Sequence, residues 1–243
     1  MSRALVLLGA LAFVGVTLVA CGGGGGSKAT PTPAATERPA APKLTQSDAT
    51  RILDAILLKP ADMPEGWVVM SDSTVDNAQA AQADPANAGS IDRCGRLLGR
   101  TIVNQSPNVV GDFLAGTTLS FFSQGTIYAT DAGSADCAAE AATRLAAPGE
   151  LAKAFGGLFV DPSAVRVTAV PYEAVADGSF AATLSGQVNA AGTIVDLTLL
   201  VVAFRDRNVA AVVGSVANGT PTTDELKPYV DKVRSRIDEA LGG

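Results

Sequence analysis

The chain has no histidine, and few single absences exclude as much. Without imidazole there is no Ser-His or Cys-His nucleophile pair and no usual general base. The commonest transition-metal ligand is missing too, as is the side chain that normally titrates between pH 5 and 8. Aromatic residues are scarce: one Trp, three Tyr and eight Phe among 243 residues. The interior must therefore be built from Val, Leu, Ile and Ala. Positive charge is in the minority, with 18 Lys plus Arg against 24 Asp plus Glu and a net charge of −6. Phosphate backbones attract basic patches, so nucleic acid is not an expected partner. Only three cysteines occur, Cys21, Cys94 and Cys137.

What is present falls into two unlike parts. Met1-Ser2-Arg3 carries one positive charge, and residues 4–20 follow with no charge at all. A short positive region, an apolar run and a small residue before a cut are the parts of an export signal. The run closes on Leu18-Val19-Ala20-Cys21 and opens onto five glycines, then Ser27 and Thr30-Pro31-Thr32-Pro33. Glycine makes the first stretch flexible and proline stiffens the second. No strand precedes the glycines and no GK[ST] follows, so they are a spacer rather than a phosphate loop.

Residues 1–22 resemble the signal and lipobox of bacterial lipoproteins. Leu18, Ala20 and Cys21 match the pattern, while Val19 stands where Ala or Ser is more usual. The resemblance implies a signal peptide over 1–20 and a diacylglyceryl thioether, with palmitate-like chains, on Cys21. It also implies a tether over 21–45 that holds the protein on the outer face of the cell membrane. A retained transmembrane anchor is the competing reading. In an exported chain the remaining pair, Cys94 and Cys137, points to a disulfide; the alternative is two buried thiols. A redox thiol at Cys137 would call for a CxxC pair or a nearby histidine.

The folded part is expected over 46–243. Ser47-Asp48 are good helix caps, and Ala49, Ile52, Leu53, Ile56 and Leu57 make an apolar stripe stopped by Pro60. Pro64-Glu65-Gly66 reads as a turn. Trp67-Val68-Val69-Met70 reads as a first strand, with Trp67 sealing a core edge or, alternatively, binding something. Residues 72–90 read as a long surface loop. Arg93, Arg96 and Arg100 follow as a small basic cluster, either a solvated turn or a seat for an anion. Strands are expected over 112–123 and 126–130, joined across Gln124-Gly125.

A helix with a small-residue face then starts near Ser134 and holds Cys137 in its first turn. A helical turn over 150–159 precedes strands at 165–170, 179–188, 193–204 and 209–216. Their short connections make them antiparallel neighbours. The apolar run 194–204 should be central and covered on both faces. A final helix is capped by Thr222 or Thr223, with Leu226, Val230, Val233, Ile237 and Leu241 as its stripe. The sum is an α+β fold: an antiparallel sheet of about six or seven strands with N-terminal, middle and C-terminal helices packed on it.

Catalytic text is thin. Asp177, Asp196 and Asp206 lie in or beside strands and could pair as hydrolytic carboxylates, or serve as ordinary turn residues. Asp72, Asp76 and Asn77 lack the remainder of a calcium loop, and no serine sits in a G-x-S-x-G elbow. No cofactor, metal or catalytic residue is expected.

The phrase Ala61-Asp62-Met63-Pro64-Glu65-Gly66-Trp67 resembles the A-D-L-P-x-G-W text of many exported actinobacterial and related lipoproteins. The element order over 46–241 resembles the extracellular sensor domains of mycobacterial receptor kinases and is similar to lipoproteins of the PsbP/Mog1-like fold. Those kinase domains carry two disulfides where this chain can make one, so no cleft or functional residue transfers. The resemblance implies a non-catalytic, extracytoplasmic binding, sensor-like or interaction module. Its ligand would be a small molecule, a lipid or an envelope protein, held between the sheet and the 72–90 stretch. The alternatives are an envelope lipid carrier and a carboxylate-dependent hydrolase.

Overall fold

A computed structural model describes residues 43–83, 93–107, 117–145, 158–173, 176–190 and 193–242, together with Gly89 and Glu150. The expected signal peptide, Cys21 and most of the tether lie outside the described residues. Packing begins at Leu44, two residues before the expected boundary: its side chain is buried and its N–H donates to the Ala129 carbonyl at 2.9 Å.

Helix α1 spans Gln46–Ile56. Its cap is Thr45, not Ser47-Asp48, because Thr45 and Asp48 exchange hydrogen bonds: Asp48 N–H to Thr45 Oγ1, and Thr45 N–H to Asp48 Oδ2. That capping box satisfies two helix-end donors at once. The expected turn follows, with Trp67 N–H donating to the Pro64 carbonyl and Gly66 at a φ of 87°, where a side chain is disfavoured.

Strand β1 (Val68–Asp76) and helix α2 (Asn77–Ala83) replace the first part of the expected 72–90 loop. β1 is an edge strand whose residues are exposed or half-buried throughout, so it lacks the apolar alternation that reveals a strand. Strand β2 (Arg96–Gln105) runs through the stretch expected to be a turn. Strand β3 is continuous over Thr117–Tyr128. Gln124 and Gly125 are not a hairpin turn; they pair with Thr101 and Arg100 on one side and with Val212 and Ala211 on the other. Gly125 is there for room, since a Cβ would come within 2.6 Å of the Leu53 side chain of α1. The first part of the expected 112–123 strand lies outside the described residues.

Helix α3 (Asp131–Leu145) starts three residues before Ser134. Of the turn expected over 150–159, Glu150 is helical, Leu158 and Phe159 are buried, and the rest lies outside the described residues. Strands β4 (Arg166–Ala169), β5 (Asp177–Ala190), β6 (Thr193–Asp206) and β7 (Val209–Asn218) fall where expected, and helix α4 spans Thr223–Ala240 with Thr222 as its cap.

The seven strands form one antiparallel sheet in the order β1-β2-β3-β7-β6-β5-β4, with three helices packed on it, so the fold is α+β. One face is covered by α1 and α4. There Ile52, Leu53 and Ile56 of α1 and Leu226, Val230 and Val233 of α4 meet Leu200, Val202 and Phe204 of β6. The alternate residues Leu199, Val201 and Ala203 point to the opposite face, where Leu158 and Phe159 pack. β6 is thus apolar on both sides, as its sequence run requires.

At the end of that second face, Cys94, Tyr128, Cys137, Ala138 and Ala210 form a separate small cluster under α3. Cys94 and Cys137 are joined by a disulfide with Cα atoms 5.6 Å apart. Gly133 lets α3 come this close, since any Cβ there would collide with the Cys94 carbonyl.

Candidate functional site

The three arginines of the expected basic cluster do not act together. Arg93 pairs with Glu140 of α3 at 2.6 Å in an exposed bridge. Arg100 is gripped by Asp72 of β1 through two hydrogen bonds, from Nε at 2.8 Å and Nη2 at 2.7 Å, and by Asp54 of α1 through Nη1. Those bonds hold the Asp72 carboxyl below its ordinary range. Arg100 is a tie between helix and sheet edge, not a solvated side chain.

Arg96 differs from both. It is only 4% exposed, and among the described residues no carboxylate lies within ion-pair reach of it. Its Nε is buried without a hydrogen-bond partner, and Nη2 reaches only the Val75 carbonyl, at 3.5 Å. Its backbone carbonyl accepts from Asn77 Nδ2 at the start of α2, while Asn77 Oδ1 is buried without a partner.

The guanidinium lies over Gly99, where a Cβ would collide with Nη2 and stand 3.6 Å from Thr126 Oγ1. Thr126 and Tyr128 are two residues apart on β3 and so share a face. Tyr128, directly across the ladder from Arg96, is 1% exposed, and its hydroxyl has no partner. Its backbone is fixed: the N–H donates to the Asn208 carbonyl at 2.9 Å, and Asn208 Nδ2 donates back to the Tyr128 carbonyl at 3.2 Å.

Burial pulls the Arg96 pKa down, against the influence of Tyr128 and Asp76. Burial also pushes the Tyr128 hydroxyl well up, with the Arg96 charge opposing it. Tyr128 therefore stays protonated and can only donate to, or accept from, a neighbour. The arrangement is a buried cation across the ladder from a neutral hydroxyl, in a chain without histidine. Its chemistry is that of holding a negative group. The basic text around Arg93, Arg96 and Arg100 signalled the cation, but nothing local signalled Tyr128, Thr126 or Asn77.

The three candidate carboxylates do not all gather in one place, since Asp196 lies far along the strand from the other two. Asp196 pairs across from Gln187, while Asp206 ends the same strand ten residues on, about 33 Å away at the usual strand rise. Asp206 is buried and bridged by Arg207 Nε at 3.3 Å. Asp177 stands opposite Arg205 at the Asp206 end. Among the described residues no three His, Cys, Asp or Glu side chains gather as a metal site.

The phrase over 61–67 proves architectural. Asp62 accepts from Arg236 at 2.8 Å through both oxygens, from Lys232 at 3.2 Å and from the Lys59 N–H at 2.8 Å. It thereby ties the α1–β1 connection to α4. Burial raises the Asp62 pKa, but these bonds outweigh it and hold the carboxyl at about 2. Trp67 stacks on Phe121 at 5.2 Å, and Phe121 meets Tyr229 at 4.4 Å, which places Trp67 at a core edge.

No family model and no curated protein matches the chain. Among solved structures it is similar to the extracellular domain of PknH from Mycobacterium tuberculosis, at 11% sequence identity and a TM-score of 0.49, over 81% of this chain and 98% of that one.

Proposed function

We propose that this chain is an exported, lipid-anchored, non-catalytic binding or interaction module on the outer face of the cell membrane. The observation that carries the reading is the bond between Cys94 and Cys137, since structural disulfides persist in oxidising compartments outside the cytoplasm. It agrees with the Leu18-Val19-Ala20-Cys21 text, whose acylation would hold the mature chain by two or more acyl chains, the number needed for firm anchoring. No helix among the described residues is long and apolar enough to cross a membrane.

The binding role draws support from Arg96 Nε and the Tyr128 hydroxyl, buried polar atoms without a hydrogen-bond partner. The hydrolase alternative is weakened by the separation of Asp196 from Asp206. The lipid-carrier alternative needs a hollow beneath the helices, where Leu53, Phe204 and Val230 are fully buried.

Intact mass spectrometry of natively purified protein tests the reading. The expected species starts at Cys21, carries acyl mass there and has lost two hydrogens to the disulfide. A Cys21→Ala variant should leave the membrane fraction. A chain that starts at Met1 with an unmodified Cys21 would overturn the proposal.

A further inference from the structure

We infer that the outer edge of β4 pairs with the same edge of a second copy of this chain, making a twofold dimer with one continuous sheet. The sheet ends in β1 on one side and β4 on the other, and the two edges are unlike. β1 is bulged between Val69 and Ser71, carries Asp72 and Asp76, and runs directly into α2. Bulges and charges are the usual guards of an edge strand, and a centred self-pairing of β1 would set Asp72 against its own twin. β4 has no such guard. It pairs with β5 without a bulge, holds no carboxylate, and is exposed at every residue from Arg166 to Ala169. Its Val167 is 41% exposed.

The main chain selects the partner. Val170 N–H donates to the Ala181 carbonyl at 3.0 Å, so Val170, Thr168 and Arg166 turn their N–H and C=O groups toward β5. The alternate residues of an antiparallel strand turn theirs the other way, which directs both groups of Val167 and Ala169 outward. Such a pattern is its own complement under a twofold axis. With the axis through Thr168, Val167 exchanges two hydrogen bonds with Ala169 of the second copy, and Ala169 does the same with the second Val167. Thr168 then meets its twin. Arg166 faces Val170, so the two arginines stay apart.

The axis stands perpendicular to the sheet, so both copies turn the same face to one membrane. A ladder this short is a small interface, weak in dilute solution and strengthened where anchored copies are concentrated. The dimer deepens the reading as an interaction module and in that sense rests on it. The ladder does not depend on Cys21, so a failed anchor and a failed edge are told apart by separate measurements.

The test is oxidation by diamide of the purified mature protein, repeated on whole cells, for Thr168→Cys, Val167→Cys and Thr220→Cys. Each variant is checked for circular dichroism and the native disulfide. Rates are taken above that of the wild type, which reports any linkage through Cys21. The axis sets the two position-168 Cα atoms about 4.5 Å apart, within disulfide reach, whereas the position-167 twins lie diagonally and beyond it. Thr168→Cys should therefore give a disulfide-linked dimer roughly tenfold faster than Thr220→Cys on an exposed loop, because pairing raises the effective thiol concentration. Val167→Cys should be no faster than Thr220→Cys. Adding Val167→Pro to Thr168→Cys removes an outward N–H that β5 does not use, and should bring the rate down to that of Thr220→Cys. Equal rates at 168 and 220, a faster rate at 167 than at 168, a cross-link that survives Val167→Pro, or capture of a different protein in place of a second copy would overturn the dimer.

Discussion

Arg96 and Arg100 stand four residues apart on β2 and have opposite surroundings. Arg100 reaches toward α1 and meets Asp54 and Asp72, so its charge fastens a helix to the edge of the sheet. The same holds elsewhere around the helix-covered side, where Arg236 meets Asp62, and Arg207 meets Asp206 and Asp238. Arg96, two residues beyond Cys94, is more deeply buried than any of these and makes no ion pair among the described residues, with Asp76 acting on it only at longer range. A buried pair costs desolvation on both partners and still fixes geometry, whereas a buried lone charge costs desolvation and fixes nothing. The two regions also differ in how they are held: side-chain packing on α1 and α4, and a covalent bond under α3.

The largest effect that separates the two regions should come from that bond. A Cys94→Ala/Cys137→Ala variant should lose about 4 kcal/mol, the chain-entropy figure for a loop of this length. Hydrogen exchange should rise at α3 and the Cys94 end of β2 before it rises under α1 and α4. Uniform loosening of both faces would break the comparison.

Next in size is Asp62→Asn, at about 2 kcal/mol, from the linkage of its depressed carboxyl. Because the folded pKa lies below the unfolded one, this contribution is complete above about pH 4 and disappears as pH falls toward 2. Urea denaturation of the wild type and variant at pH 6 and pH 2.5 should show the gap closing. The two arginines should then differ in sign. Arg96→Met should stabilise by about 1 kcal/mol and Arg100→Met should destabilise by a similar amount, read as the change in urea midpoint. The smallest change is Asp54→Asn, below about 1 kcal/mol, because Asp54 is exposed and Arg100 keeps Asp72.

Much of this molecule was legible from local text. The stripe Leu226, Val230, Val233, Ile237 and Leu241 locates α4, and the short joins after Ala190 and Asp206 make β5, β6 and β7 antiparallel. The cysteine count anticipates the disulfide. Strand β2 escaped notice because Arg96, Gly99, Arg100 and Thr101 interrupt its apolar residues; the first strand is legible at Val68 to Met70, but its continuation to Asp76 is not, because an edge strand has little to bury. Gln124-Gly125 looks like a turn, since the usual reason for glycine is backbone freedom. Here it is the absence of a Cβ under Leu53. Arg96 and Tyr128 carry no joint signature, as they are thirty-odd positions apart and meet only across the ladder.

Periodicity, turn length and residue type act over a few neighbours, and they suffice for the helices at either end, the hairpins of the second half and the oxidisable pair. The docking of β7 beside β3, which joins the two halves of the sheet, and the pairing of particular arginines with carboxylates have no such local cause. Strand order and the surroundings of a buried charge depend on groups distant along the chain, and those meet only once the sheet has closed.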